Sequence, residues 1–221
     1  MKKSEKRARL AAIVAALEEI YPEATCALEY EGDPWKLLVM GRLSAQCTDA
    51  RVNEVCKELF RVYPTVQDMA AAPVEEIAAI VRPCGLYRTK AENLKDASAM
   101  LVDLYGGELP DTMEELLKFP GVGRKIANLL LGDIFHQPAV VTDTHCIRIC
   151  GRLGMYPEKL KDPKKVEDIL VDLIAPEKSS DFCHRIVWFG REYCMARAPR
   201  CETCPLAAKG LCEKENKRRG A

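Results

Sequence analysis

The residues best placed to do chemistry are a lysine just behind a glycine turn and an aspartate eighteen positions further on. The run Phe119-Pro120-Gly121-Val122-Gly123-Arg124-Lys125 joins two helical patterns, and Asp143 follows within Thr142-Asp143-Thr144-His145. Two glycines permit a tight turn that presents the amides of Gly121, Gly123 and their neighbours at a helix N-terminus. Such amides hold an anion, and a DNA phosphate is the natural ligand. The turn delivers Lys125 onto the first turn of the next helix, where the helix dipole and Arg124 both disfavour a protonated amine. A free amine at that point can attack C1′ of a deoxyribose, expel a base and form a Schiff base, and elimination then breaks the strand on the 3′ side. Asp143 supplies a fixed carboxylate for acid–base work or for stabilising an oxocarbenium ion.

Each of these residues also has a plain reading. A lone Gly-x-Gly is usually a helix connection, most lysines are solvated cations, and Asp143 makes a good N-cap for a helix beginning at Thr144. The whole run between two helical patterns is more specific than its parts. His145, one of three histidines, reads as a local hydrogen-bonding group.

A second constellation closes the chain: Cys194, Cys201, Cys204 and Cys212, separated by six, two and seven residues. Four cysteines in such a short segment indicate metal binding. Zinc favours two close pairs and only Cys201 and Cys204 form one, so spacing alone leaves zinc and an iron–sulfur cluster both open. Arg197 and Arg200 lie in the first interval, where a metal-held loop would present them to DNA. The other seven cysteines (Cys26, Cys47, Cys56, Cys84, Cys146, Cys150 and Cys183) are scattered and read as small buried hydrophobes.

Helices must position these groups. Leu10, Ile13, Val14, Leu17 and Ile20 form one apolar stripe, and Val52, Val55, Cys56, Leu59, Phe60 and Tyr63 form another that stops at Pro64. Further helices are expected over 35–45, 73–81, 88–105, 112–118, 124–135, 144–153, 163–174 and 181–193. Only Pro138-Ala139-Val140-Val141 has strand character. The fold class is therefore all-α with about ten helices, and a boundary falls near Gln137-Pro138. Residues 213–221 read as a charged, frayed tail.

The chain of 221 residues is 48% hydrophobic and 30% charged, an ordinary globular composition. Its 33 basic and 33 acidic residues balance to a net charge of zero, which excludes gross charge-driven binding to nucleic acid. DNA contact must come from local groups such as Lys118, Arg124 and Lys125, or Arg197 and Arg200. No apolar run approaches the roughly 20 residues that span a bilayer. No signal-peptide core follows the basic start, so a cytoplasmic protein is expected.

With these residues in view, the sequence resembles the iron–sulfur branch of the helix–hairpin–helix DNA glycosylase superfamily over nearly its whole length. Besides the hairpin, Asp143 and the cysteine tail, the likeness includes Leu43-Ser44-Ala45-Gln46-Cys47-Thr48-Asp49. It also includes Gly85-Leu86-Tyr87-Arg88-Thr89-Lys90-Ala91-Glu92-Asn93. The resemblance implies a six-helix barrel domain over 27–137 carrying the hairpin, and a second domain from 1–26 and 138–221 carrying a [4Fe–4S] cluster. It implies a base-flipping DNA glycosylase and abasic-site lyase that removes oxidised pyrimidines from double-stranded DNA. Lys125 becomes the Schiff-base nucleophile, Asp143 the essential carboxylate, and Cys194, Cys201, Cys204 and Cys212 the cluster ligands. Gln46 and Leu86 match the residues that fill the hole and wedge the stack when a nucleotide is extruded.

Three features depart from the family pattern. The last cysteine interval holds seven residues instead of five, and Thr142 and Cys47 stand where Val and Ala are usual. Two rivals remain: a monofunctional mismatch glycosylase, whose relatives lack the hairpin lysine, and a non-catalytic iron–sulfur DNA-binding protein, which would need neither Lys125 nor Asp143. One active site suffices for the reaction, so a monomer is expected.

Overall fold

The computed structural model describes residues 2–215, which include twelve α-helices, three short 3₁₀ turns and a helical stretch at 213–215, with no β-strand among them. They gather into two compact units, one spanning Cys26–His136 and the other built from Met1–Thr25 with Gln137–Ala221.

In the unit Cys26–His136 the helices are α2 (Pro34–Leu43), α3 (Asp49–Val62), α4 (Val66–Ala71), α5 (Val74–Val81), α6 (Tyr87–Tyr105), α7 (Met113–Leu116) and α8 (Arg124–Asp133). Their ends follow local chemistry. Asp33 caps α2, its carboxylate accepting from the amides of Trp35 and Lys36 at 2.9 and 3.1 Å, with Pro34 opening the helix. Thr65 and Asp68 form a capping box that starts α4 directly after Pro64 ends α3. Gly106, at φ +62°, closes α6, and the Gly107 amide donates to the Leu101 carbonyl at 2.9 Å. Helix α6 is the spine, packed against α4 and α5. Its Ala91, Leu94, Ala97 and Leu101 are buried, as are Leu37, Leu38, Met69 and Ile77 on the surrounding helices.

The other unit contains α1 (Lys3–Ile20), α9 (Thr144–Arg152), α10 (Pro163–Leu173), α11 (Ser179–Glu192) and α12 (Pro205–Ala208). Here α11 is central, burying Phe182, Ile186 and Phe189 and packing on α1 and α9. The stripe expected on α1 is buried at Leu10, Ile13, Val14 and Leu17, while Ile20 is half-buried.

Local details depart from the sequence reading. Residues 138–141 run extended without joining a strand. Their backbone donors are taken by side chains of α11, the Ala139 amide by Ser179 Oγ at 3.0 Å and the Val141 amide by Cys183 Sγ at 3.2 Å. Helix α4 lies between two segments read as helical, and it depends on the Thr65–Asp68 box more than on apolar periodicity. Helix α7 is only four residues, because its C-terminal side tightens into turns that carry Lys118 and Phe119 toward the hairpin. Of the scattered cysteines, Cys56, Cys84, Cys146, Cys150 and Cys183 are buried, but Cys26 and Cys47 are only half-buried. Within the expected tail, 213–215 are helical, and 216–221 lie outside the described residues.

Candidate functional site

The glycine turn brings α8 in with an open N-terminus. Gly123 is the N-cap and supplies no side chain to occupy the first-turn amides. A Cβ at Gly123 would meet nothing within 4 Å, so the approach to those amides is clear. Gly121 is the constrained position. Its φ is +76°, and a Cβ there would sit 2.3 Å from Arg42 Nε and 2.6 Å from Asn93 Oδ1. Those two side chains are locked together beneath the turn, Arg42 donating through Nε and Nη2 to Asn93 Oδ1 at 2.9 and 2.7 Å. Burial holds the Arg42 guanidinium below its ordinary value. The turn therefore rests on an Arg–Asn brace that the sequence reading did not assign, although Asn93 lies in a quoted motif.

Lys125 is the second residue of α8, exposed on its first turn. Among the described residues no hydrogen bond or ion pair occupies its ammonium. Arg124 beside it is half-buried.

Gln46 and Leu86 are brought into relation by a residue the sequence reading left in the background. Lys90, on α6, is fully buried, and its ammonium donates to three carbonyls: Leu43 at 2.9 Å, Ala45 at 2.8 Å and Cys84 at 2.8 Å. The first two lie at the end of α2 and just beyond it, ahead of Gln46, and the third ends the 3₁₀ turn ahead of Leu86. Burial lowers the Lys90 ammonium from its usual value, and the neighbouring Cys84 and Cys47 oppose that shift. Both clamped loops end in an exposed residue with left-handed backbone, Gln46 at φ 56° and Leu86 at φ 47°. Left-handed backbone costs a non-glycine residue about 1–2 kcal/mol. Leu86 is also 59% exposed, giving up apolar burial as well. Next to it the Tyr87 ring carries the guanidinium groups of Arg82 and Arg88 at 5.9 and 5.8 Å.

Asp143 belongs to the other unit. It caps α9, its Oδ1 accepting from the Cys146 amide at 2.7 Å, and the residue is half-buried. The same helix reaches the cysteine tail. Arg148 donates to the Cys194 carbonyl at 3.2 and 3.1 Å, and Arg152 donates to Cys194 Sγ at 3.3 Å and to the Met195 carbonyl at 2.8 Å. His145 accepts locally, its Nδ1 lying 3.1 Å from Arg148 Nη2. Arg197 and Arg200 are both exposed in the loop between Cys194 and Cys201.

The four tail cysteines line one cavity of about 380 Å³, with Arg152, Leu153 and Phe189 among its other walls. Among the described residues no three of the four sulfurs lie within 4.8 Å of one another. A single zinc, with Zn–S bonds of about 2.3 Å, would hold tetrahedral sulfurs closer than that. An all-thiolate set spread around a largely apolar chamber fits a polynuclear iron–sulfur group better. Burial pushes the thiols of Cys204 and Cys212 up.

The all-helical fold with its glycine hairpin is that of a class of base-excision DNA repair proteins. The family model for the HhH-GPD superfamily base excision DNA repair protein matches residues 39–176. Endonuclease III of Bacillus subtilis (strain 168) is 43% identical over 201 residues, covering 90% of each chain. Endonuclease III of Escherichia coli (strain K12) is 35% identical, covering 96% of this chain and 98% of the relative. A solved non-covalent endonuclease III–DNA complex superposes with a TM-score of 0.89 at 40% identity, covering the whole of both chains. A trapped endonuclease III–DNA covalent intermediate superposes at 0.88 and the same identity, covering 99% of each chain. The chain belongs to the endonuclease III family.

Proposed function

We propose that this protein is a bifunctional DNA glycosylase and abasic-site lyase that works on damaged pyrimidines in double-stranded DNA. The observation that carries the reading is Lys125: an exposed, uncommitted amine on the first turn of α8, beside an uncapped helix N-terminus that can grip phosphate. In this reading the hairpin amides of Gly121, Gly123 and the first turn hold the backbone of the damaged strand. Gln46 and Leu86 enter the duplex as one nucleotide leaves it. The Lys125 amine forms a bond to C1′ as the base departs with its electron pair. The amine then loses a proton, the C1′–O4′ bond opens with its electron pair and a proton going to O4′, and the Schiff base results. Removal of a C2′ proton then expels the 3′ phosphate. Asp143 stabilises positive charge on the sugar and shuttles protons. Arg197 and Arg200 add phosphate contacts from the cysteine loop.

Cys194, Cys201, Cys204 and Cys212 would hold a [4Fe–4S] cluster, which when bound cross-links the 194–212 segment. The domain reading follows: the Cys26–His136 unit as the barrel that bears the hairpin, and the unit from both termini as the cluster domain. The protein would act as a cytoplasmic monomer, as one site per chain suffices.

Borohydride reduction tests the reading. Incubated with duplex DNA carrying an oxidised pyrimidine or an abasic site, the protein should form a covalent adduct that Lys125→Gln abolishes. Base release by that variant should fall by about 10³-fold or more, the scale on which loss of a nucleophile acts. Base release without trapping in the native protein would instead indicate a monofunctional glycosylase, and neither would leave only a DNA-binding protein.

A further inference from the structure

The two loops that carry Gln46 and Leu86 also place two thiols side by side. Cys47 directly follows Gln46, and Cys84 ends the 3₁₀ turn Arg82–Cys84, two positions before Leu86. The two thiols act on each other, Cys47 contributing to the raised pKa of Cys84. The approach is built into the unit, because Lys90 holds the Ala45 and Cys84 carbonyls at 2.8 Å each and so ties the two loops to one point. Cys84 is buried, whereas Cys47 is half-buried and reachable from solvent.

We propose that Cys47 and Cys84 are a reversible, peroxide-sensitive thiol pair, and that closing it to a disulfide disables insertion into DNA by Gln46 and Leu86. The proposal rests on the reading of Gln46 and Leu86 as the inserting residues. The chemistry needs one hydrogen peroxide. The Cys47 thiolate attacks one peroxide oxygen, the O–O bond breaks, and the departing hydroxide takes up the proton that Cys47 released. Cys47 is then a sulfenic acid. The Cys84 sulfur attacks that sulfur, forming the S–S bond, and the sulfenic oxygen leaves as water with the Cys84 proton. Two thiols are oxidised and one peroxide is reduced to two waters.

The surroundings suit this order of events. The Lys90 ammonium and Arg51 each pull Cys84 toward its thiolate, against the larger effect of burial. Burial and the neighbouring Cys47 nonetheless push the Cys84 thiol up to about 11, which keeps it protonated until an electrophilic sulfur forms beside it. A disulfide bond is about 2.05 Å long, well inside any non-bonded contact between two sulfurs. Closure must therefore shift at least one of the clamped loops. Displacing a substrate-positioning group by about 1 Å costs on the order of 10²-fold in rate.

The test treats the reduced, cluster-loaded protein with hydrogen peroxide and digests it without reductant. Base excision is measured on duplex DNA containing an oxidised pyrimidine, with visible absorbance recording the cluster separately. The expected result is a peptide cross-linked through Cys47 and Cys84, a fall in excision of about 10²-fold, and recovery with dithiothreitol. Cys47→Ala and Cys84→Ala should each keep their excision rate under the same dose. The proposal is overturned if no such cross-link forms while other thiols oxidise, or if the cross-linked protein excises normally. It is equally overturned if both alanine variants lose activity in parallel with the native protein. Reduced Leu86→Ala separates the two claims: a normal rate there refutes the insertion reading, whereas the cross-link map does not depend on it.

Discussion

Replacing Lys90 by methionine keeps the volume and most of the stem of the side chain but removes the ammonium that holds two loops. Three carbonyls lose their donor, and the contacts to Leu43 and Cys84 are fully buried while that to Ala45 is partly so. Leaving a buried acceptor unsatisfied costs about 1–3 kcal/mol, and water can reach only the Ala45 carbonyl. Two orphaned carbonyls thus cost about 2–6 kcal/mol. The change also removes the expense of desolvating a charge, several kcal/mol in general, which offsets part of the loss. A net destabilisation of about 3 kcal/mol is expected, a drop in melting temperature of roughly 6–12 °C at this chain length. The assay is urea unfolding of both proteins across pH. Burial lowers Lys90 from 10.5, so the native state sheds this proton before the unfolded chain does. The unfolded state then binds more protons in the interval just below 10.5. Relative to Lys90→Met, native stability is therefore greatest above about 10.5 and declines as pH falls through the lowered folded value. Excision should fall about 10²-fold because Gln46 and Leu86 lose their common anchor, while borohydride trapping on abasic DNA still requires Lys125. A variant as stable and as active as the native protein would refute the clamp.

The two hairpin glycines should part company. Gly121→Ala forces a left-handed alanine and breaks the Arg42–Asn93 brace, costing about 3 kcal/mol in urea unfolding from backbone strain plus a charged hydrogen bond. Gly123→Ala has open space and φ −105°, so stability should hold within about 0.5 kcal/mol while affinity for abasic duplex DNA weakens as the methyl intrudes at the amides. Asp143→Asn separates capping from chemistry: asparagine caps as well as aspartate, so melting should be unchanged while excision falls by about 10²–10⁴-fold, the range of a general acid–base group. Loss of excision matched by loss of melting temperature would reduce Asp143 to a cap.

Much of this was legible in the residues. The periodic stripes of α1 and α3 and the breakers at Pro64 and Gly106-Gly107 report burial and backbone limits that are local, and local physics is what a sequence displays. Lys90 was harder, because a lysine in a helix is ordinarily solvated. Its register was the available signal: it falls in line with Leu94, Ala97 and Leu101, all buried on α6. The left-handed backbone of Gln46 and Leu86 had no signal at all, since neither residue type favours it. Each lies one or two residues beyond a carbonyl that Lys90 gathers. The segment 138–141 misled for a related reason. Its Val-rich pattern signals burial of both faces, and here the burial comes from α11 instead of a sheet.

Helix α9 explains why four cysteines matter to a carboxylate they do not touch. Its nine residues make one rigid rod of roughly 13 Å. Asp143 caps one end, and Arg148 and Arg152 grip the Cys194 loop from the other half. The cap fixes where the carboxylate points, but the guanidinium contacts fix where the rod lies. Those contacts end on the carbonyls of residues 194–196 and on Cys194 Sγ, within the segment that a cluster would cross-link. Cys201→Ser should therefore bleach the protein and lower excision while leaving the Asp143 cap itself chemically intact. Arg152→Met should do the milder version of the same thing, retaining the cluster colour but reducing the excision rate by about tenfold, because one anchor of the rod is gone. Full activity in a colourless Cys201→Ser protein would mean that the rod is held by α11 alone, through the close seat of Gly190 against His145 and Ile149, and that the cysteines serve only the DNA-facing loop.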